Sequence, residues 1–284
     1  MARGPSPTLR RRELGVRLRE LRTQAGLTAE QVAEQLMVSV TKVTRLETGT
    51  RGATMRDIRD LAEIYRISGD VLEHLMTLAR QSKEASWWQR YGLEPAYSTF
   101  VGLEAAASTV MDYESSTIPA LLQDSSYSRA LIVGNDPELE EAAAEQQVEA
   151  RVKRRQLLLT PDRPLVLHAV CDEAALRRIV GDRSIMAEAL RTLLEGASLP
   201  NVTMQVIPFE AGAHPGLNST FTILHFEEHV SDVIYVEGLF GQHYLENPGD
   251  LARYRRAFER LTSLALEPAA SMRMISALAA AYDQ

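Results

Sequence analysis

A chain of 284 residues is long enough for two domains or one large one, each with its own core, which excludes a disulfide-stapled miniprotein. Hydrophobic residues make up 45% and charged residues 24%, and no apolar run approaches the roughly 20 residues of a membrane span, so a globular protein with no membrane partner is expected. The net charge of −7, taken whole, argues against a polyanion such as DNA as partner.

Along the chain the charge is uneven. Met1 to Arg56 holds eleven Arg and Lys against five Glu, a formal +6 that leaves −13 for the remainder. Such asymmetry fits a basic nucleic-acid-binding domain joined to an acidic body with another task, although chance clustering on a solvated surface produces the same count. The single cysteine, Cys171, excludes an internal disulfide. Residues 1–12 form an Arg-rich arm without the apolar stretch of a secretory signal, so a reducing cytoplasm is the expected compartment.

From Glu13 to Ala25 the apolar residues Leu14, Leu18, Leu21 and Ala25 recur at helical spacing, and Gly26 ends the pattern. Thr28 is placed as an N-cap, with Gln31 completing a capping box and Val32, Ala33 and Leu36 facing inward. Ser39 offers the next N-cap, for a helix to Thr48 anchored by Val43 and Leu46 and closed by Gly49. Two further helices are expected over Met55–Tyr65 and Asp70–Arg80.

These residues, over roughly Leu14 to Leu72, resemble the phage-repressor or Xre type of helix-turn-helix, carried by Gly26-Leu27-Thr28, small Ala33, and Val43 with Leu46. The resemblance implies a five-helix bundle over 13–80 whose helix at 39–48 enters the major groove of a double-stranded DNA operator. By position it makes Val40, Thr41 and Arg45 the base readers, and Arg22, Thr28, Ala29, Ser39, Lys42, Thr44, Thr50 and Arg51 the DNA-backbone contacts. It further implies a structural ion pair between Arg22 and Glu47, and a homodimer on a pseudo-palindrome. Two positions depart from the family. Ala29 stands where a polar contact residue is common, and Met37 where a glycine relieves a positive φ, at a cost of about 1 kcal/mol. An all-helical protein-binding bundle uses the same core pattern, and Glu30 and Glu34 suit it.

The polar segment 81–86 marks a linker, followed by an acidic α+β domain over 87–284. A helix is expected around Leu103–Thr109, a Ser125-capped helix to Leu131, and a long helix from Asp136-Pro137 to Leu159 with glutamates at its start and Arg and Lys at its end. Four strand-like runs follow, Leu165–Val170, Val202–Ile207, Thr220–Phe226 and Val233–Val236, with helices Glu173–Val180 and Ser184–Gly196 between the first two. That crossover makes the first pair parallel, while the short later links suit antiparallel pairing. Helices Pro248–Leu264 and Pro268–Tyr282 close the chain. The fold class is therefore multidomain, an all-α bundle followed by a helix-rich α+β domain with a mixed sheet of about four strands.

This body resembles the second domain of actinobacterial WhiJ-like, antitoxin-like transcriptional regulators. The residues that carry the likeness are Ile118 to Gln123, Asp172 to Arg178, Val206 to Phe209, Gly212 to Gly216 and Tyr235 to Gly238. The resemblance implies a small protein encoded by a neighbouring gene as partner. Within the body, Glu210, His214, Asn218 and Ser219 are the candidate ligand or partner loop, since Gly212 and Gly216 allow close backbone approach; a plain strand connection is the simpler account. No metal-ligand spacing, GxSxG elbow, P-loop or dinucleotide fingerprint is present, so no metal, cofactor or catalytic residue is expected, and Asp172 reads as an N-cap. The expected function is a sequence-specific DNA-binding transcriptional regulator whose second domain couples a partner or ligand signal to DNA. The alternatives are a small-molecule sensor with a pocket near 210–219 and an enzyme fused to a DNA-binding domain.

Overall fold

The computed structural model describes residues 6–227, 230–238 and 241–283. The chain divides into two compact units that part between Arg90 and Tyr91.

The first unit is helical. Its first helix, α1 (Pro7–Gln24), starts six residues before the expected Glu13. Ser6 caps it, its hydroxyl accepting from the Thr8 amide at 3.2 Å, and Pro7 sits in the first turn, where a missing N–H is harmless. The described part of the expected arm is thus folded, with Leu9 and Arg12 buried. α2 (Ala29–Gln35), α3 (Val40–Glu47), α4 (Met55–Tyr65) and α5 (Asp70–Gln81) follow, and the capping box of Thr28 and Gln31 is present at the start of α2.

Leu14, Leu18, Leu21, Val32, Val43, Leu46, Ile58, Leu61, Leu75 and Leu78 form the core of this bundle, with Ala33 among them. Gly15 is dictated by the crossing of α1 over the end of α3: a Cβ there would meet the Glu47 carbonyl at 2.5 Å. Met37 carries a φ of 53° in the turn before α3, the strained conformation its family position implied. The segment 81–86 is no free linker. Gln81 closes α5, the buried Ser82 donates its hydroxyl to the Ala79 carbonyl, and Arg11 reaches the Ser82 carbonyl from α1.

The second unit runs α6 (Pro95–Glu104), β1 (Thr109–Glu114), α7 (Ser125–Asn135), α8 (Glu141–Arg154), β2 (Val166–Asp172), α9 (Glu173–Arg177), α10 (Arg183–Ala197), β3 (Val202–Ile207), β4 (Phe221–His225), β5 (Val233–Gly238), β6 (Gly241–Leu245), α11 (Pro248–Leu264) and α12 (Pro268–Tyr282). The described residues form one mixed sheet in the order β3-β2-β1-β4-β5-β6, with β1, β2 and β3 parallel and the remaining pairs antiparallel. Six strands replace the expected four. The helix expected around Leu103–Thr109 gives way to the end of α6 and a strand, β1, in the middle of the sheet. Its sequence, Thr-Val-Met-Asp-Tyr-Glu, points two carboxylates and one valine to one face, a pattern that charge alone assigns to solvent. The long polar helix starts at Glu141 and tightens into a 3-10 turn at Arg155–Leu159; Asp136 and Pro137 lie in the preceding turn. Asp124, not Ser125, caps α7, its Oδ1 accepting from the Ser126 and Tyr127 amides.

One sheet face, with Tyr113, Val170, Phe221, Ile223 and Ile234, packs on Phe258 and Leu261 of α11. Strand alternation sends Asp112, Glu114, Thr222, Tyr235 and Glu237 to the other face.

Candidate nucleic-acid interface

α3 is amphipathic in the sense that DNA reading requires. Val43, Leu46 and Glu47 are buried, while Val40, Thr41, Thr44, Arg45 and Thr48 form one exposed face. Ser39 caps the helix by accepting from the Lys42 amide at 3.2 Å, leaving the first turn's N–H groups directed outward from the positive end of the helix dipole. Thr41 and Arg45 differ by one turn and supply a hydroxyl and a fork-shaped guanidinium, with Val40 adding an apolar contact.

The scaffold behind this face is fixed by two ion pairs. Arg22 Nε lies 2.6 Å from Glu47 Oε1 and Nη2 lies 3.0 Å from Oε2, while Nη1 donates to the Leu27 carbonyl at 2.8 Å. The hydrogen bond donated to Glu47 raises the Arg22 pKa above its ordinary value, against desolvation. With three nitrogens engaged inside the bundle, Arg22 is a positioning residue here, and the expected phosphate contact is not its evident task.

Lys42 is placed differently from the expectation too. Its ammonium lies 2.7 Å from Asp57 Oδ1, and both side chains are largely buried. Burial pushes the Asp57 carboxyl up, but Lys42 and the amide and hydroxyl of Thr54 outweigh it and hold the pKa below the usual value. Because Lys42 and Asp57 are each third in their helix, the pair sets the N-terminal ends of α3 and α4 side by side. That juxtaposition brings in Arg56, on the first turn of α4, whose side chain is 90% exposed. Sequence reasoning missed Arg56. The capping box of Thr54 and Asp57 signals the helix start, but only the tertiary pair puts that start beside α3.

Thr28 is exposed and occupied in its capping box, and Ala29 is half-buried with no polar group to offer. Thr44 donates its hydroxyl to the Val40 carbonyl, and Thr50 donates to the Arg45 carbonyl, as does the Arg51 amide; the Arg51 side chain is exposed.

The loop at 210–219 has a different character. The side chain of His214 is buried, its Nε2 3.1 Å from Asp172 Oδ2, its Nδ1 accepting from the Gly216 amide and its ring edge-on to Tyr113. Asp172 also caps α9 through the Ala174 amide. Glu210 and Asn218 are exposed, Ser219 donates to the Thr220 carbonyl, and no hydrogen bond links any two of these four candidates. The histidine thus ties the loop to the C-terminal end of β2 through Asp172, the residue that also caps α9. Among the described residues no three His, Cys, Asp or Glu side chains are grouped to hold a metal ion, and no helix is long and apolar enough to cross a membrane.

Residues 13–75 match the helix-turn-helix domain family, and residues 97–277 match a domain of unknown function, DUF5753. Over 77 residues the chain is 34% identical to the HTH-type transcriptional activator BcrR of Enterococcus faecalis, a match that spans 26% of this chain and 38% of that protein. No solved structure matches the chain significantly. The DUF5753 match alone spans more than half of the chain, which therefore belongs to the DUF5753 family, with a helix-turn-helix domain preceding the family domain.

Proposed function

We propose that the protein is a sequence-specific transcriptional regulator that places α3 in the major groove of its operator. The observation that carries this reading is the exposed face of Val40, Thr41 and Arg45 on a helix whose other side is locked to α1 and α4 by Arg22–Glu47 and Lys42–Asp57. Arg45 reads a guanine edge, Thr41 a hydrogen-bonding edge and Val40 a thymine methyl, while Arg51, Arg56 and the paired helix starts hold phosphates. The Xre-type likeness and the similarity to a transcriptional activator support the same assignment. A homodimer then spans two half-sites about 34 Å apart.

The acidic second domain is a regulatory body and not an enzyme in this reading. Its charge repels DNA outside the operator, and its likeness to WhiJ-like, antitoxin-like regulators makes a small neighbouring protein its partner. Genome-wide mapping of binding sites, followed by anisotropy titrations of the full chain on the recovered sequences, tests the reading. Saturable binding that weakens steeply with salt and falls on mutated half-sites is expected. Equal affinity for operator and scrambled DNA defeats it.

A further inference from the structure

The sheet face opposite α11 carries an arrangement that DNA recognition does not use. Asp112, Thr222 and Tyr235 lie in one cross-strand row on β1, β4 and β5, with Glu114 and Glu237 two residues further along their strands. Over this row stand Glu104 of α6 and Arg154 of α8, a buried bidentate pair at 2.6 and 2.7 Å, with the Arg154 guanidinium lying over the rings of Tyr97 and Phe100. Between them is a cavity of about 240 Å³, walled by aromatic rings and carboxylates together.

Its charges do not cancel. Glu104 neutralises Arg154, which leaves Asp112, Glu114 and Glu237 against Arg151, itself bonded to Gln123. Asp112 is only 7% exposed; one oxygen accepts from Thr222 at 2.8 Å, and the other receives no hydrogen bond from any described residue. Among the described residues Glu114 likewise accepts only from Thr117, and Glu237, which is exposed, only from Tyr235. Half-satisfied carboxylates facing a cavity destabilise a fold unless something cationic enters. Burial accordingly raises the Asp112 pKa to about 6, and that of Glu114 well above its usual value.

We propose that this cavity binds a small organic cation, an amine or amidinium head on a compact apolar body, with Asp112 and Glu114 as its counter-ions and Glu237 at the mouth. Anionic ligands are disfavoured by the three carboxylates, and the described side chains are not grouped for a metal ion. The aromatic walls suit the apolar body and the face of the cation. Occupancy brings the carboxylates back into an ion pair, so binding releases protons and tightens as pH rises through their raised pKa values. The titratable and charged groups around these two acids are Tyr97 and Glu104 from α6, Tyr127 from α7, Arg151 and Arg154 from α8, Cys171 from β2, and Tyr235 and Glu237 from β5.

Calorimetric titration of the full chain, without DNA, tests this independently of the DNA-binding reading. The probes are phenethylamine, benzamidine and a panel of small primary amines, against the neutral counterparts phenylethanol and benzamide. Saturable binding of a cationic probe, absent for its neutral counterpart and weakened by about tenfold or more in Asp112→Asn, is expected. The proposal fails if no cation of the panel binds saturably at millimolar concentration, if neutral and cationic counterparts bind alike, or if Asp112→Asn binds as well as the parent. The comparison of neutral and cationic probes on the unaltered chain needs no variant to fold.

Discussion

The guanidinium of Arg22, near the end of α1, grips both carboxylate oxygens of Glu47 at the end of α3, and the pair is largely buried. Removing one partner leaves the other charge buried and unpaired, which is more damaging than the loss of an exposed ion pair. Arg22→Ala is therefore expected to lower the unfolding free energy of the helical unit by about 3 kcal/mol, measured by denaturant unfolding followed by circular dichroism. A change within about 0.5 kcal/mol, the range of ordinary surface substitutions, would show that the pair does not anchor α3.

DNA recognition separates base readers from phosphate holders. Arg45→Ala is expected to cost about 1 to 3 kcal/mol of operator affinity and to relax selection at one base position. Arg51→Ala and Arg56→Ala are expected to weaken operator and non-operator DNA alike, each reducing the slope of log K against log salt by about 1. Anisotropy titrations at several salt concentrations distinguish the two behaviours. Lys42→Ala differs from both: because Lys42 is bonded to Asp57, its first effect is a loss of thermal stability.

Met37 is 92% exposed and holds a φ of 53°. Its side chain contributes almost no burial there, while its Cβ opposes the left-handed backbone. Met37→Gly is expected to stabilise the helical unit by about 0.5 to 1 kcal/mol, read as a higher melting temperature. A lower melting temperature would mean that the chain entropy of glycine outweighs the relieved strain.

The Asp112 carboxyl contributes a pH dependence whose sign follows from burial. Desolvation raises its pKa to about 6, against about 4 for an unfolded aspartate, so between these values the folded chain holds the proton more tightly. Its contribution therefore favours folding at acid pH and is lost as pH rises from about 4 to about 6. Asp112→Asn removes this loss, keeps an oxygen for Thr222, and is expected to be more stable than the parent at pH 7 by about 2 to 3 kcal/mol, with little difference near pH 3.5. Denaturant unfolding at the two pH values measures it. Asp57, held below its usual pKa mainly by Lys42 and Thr54 against its own burial, contributes with the opposite sign: its stabilisation is present above about pH 4 and is lost on acidification.

Local chemistry was legible from the residues alone. The caps at Thr28, Ser39 and Asp172, the stripe of Leu14, Leu18 and Leu21 and the parallel pairing of β2 with β3 all depend on a few neighbouring residues or on one crossover. The strained turn at Met37 is different, since only the family resemblance implies it. Even the pairing of Arg22 with Glu47 could be carried over, because a known family keeps it at matching positions.

What periodicity could not show was any arrangement set by partners distant in the chain. Lys42 meets Asp57 fifteen residues away, and His214 meets Asp172 forty-two residues away; no local spacing signals either pair, because only the closed fold brings the partners together and removes most of the water around them. Strand β1 is the sharpest case. Its Asp112 and Glu114 look solvent-facing by composition, yet β1 lies between β2 and β4 at the middle of the sheet, where the same two carboxylates line a cavity under α6 and α8. The sequence by itself determined the capped, amphipathic helix that we propose reads DNA and the division of charge between the two ends of the chain. Only the tertiary structure decided which charges are solvated, since that depends on what packs over them.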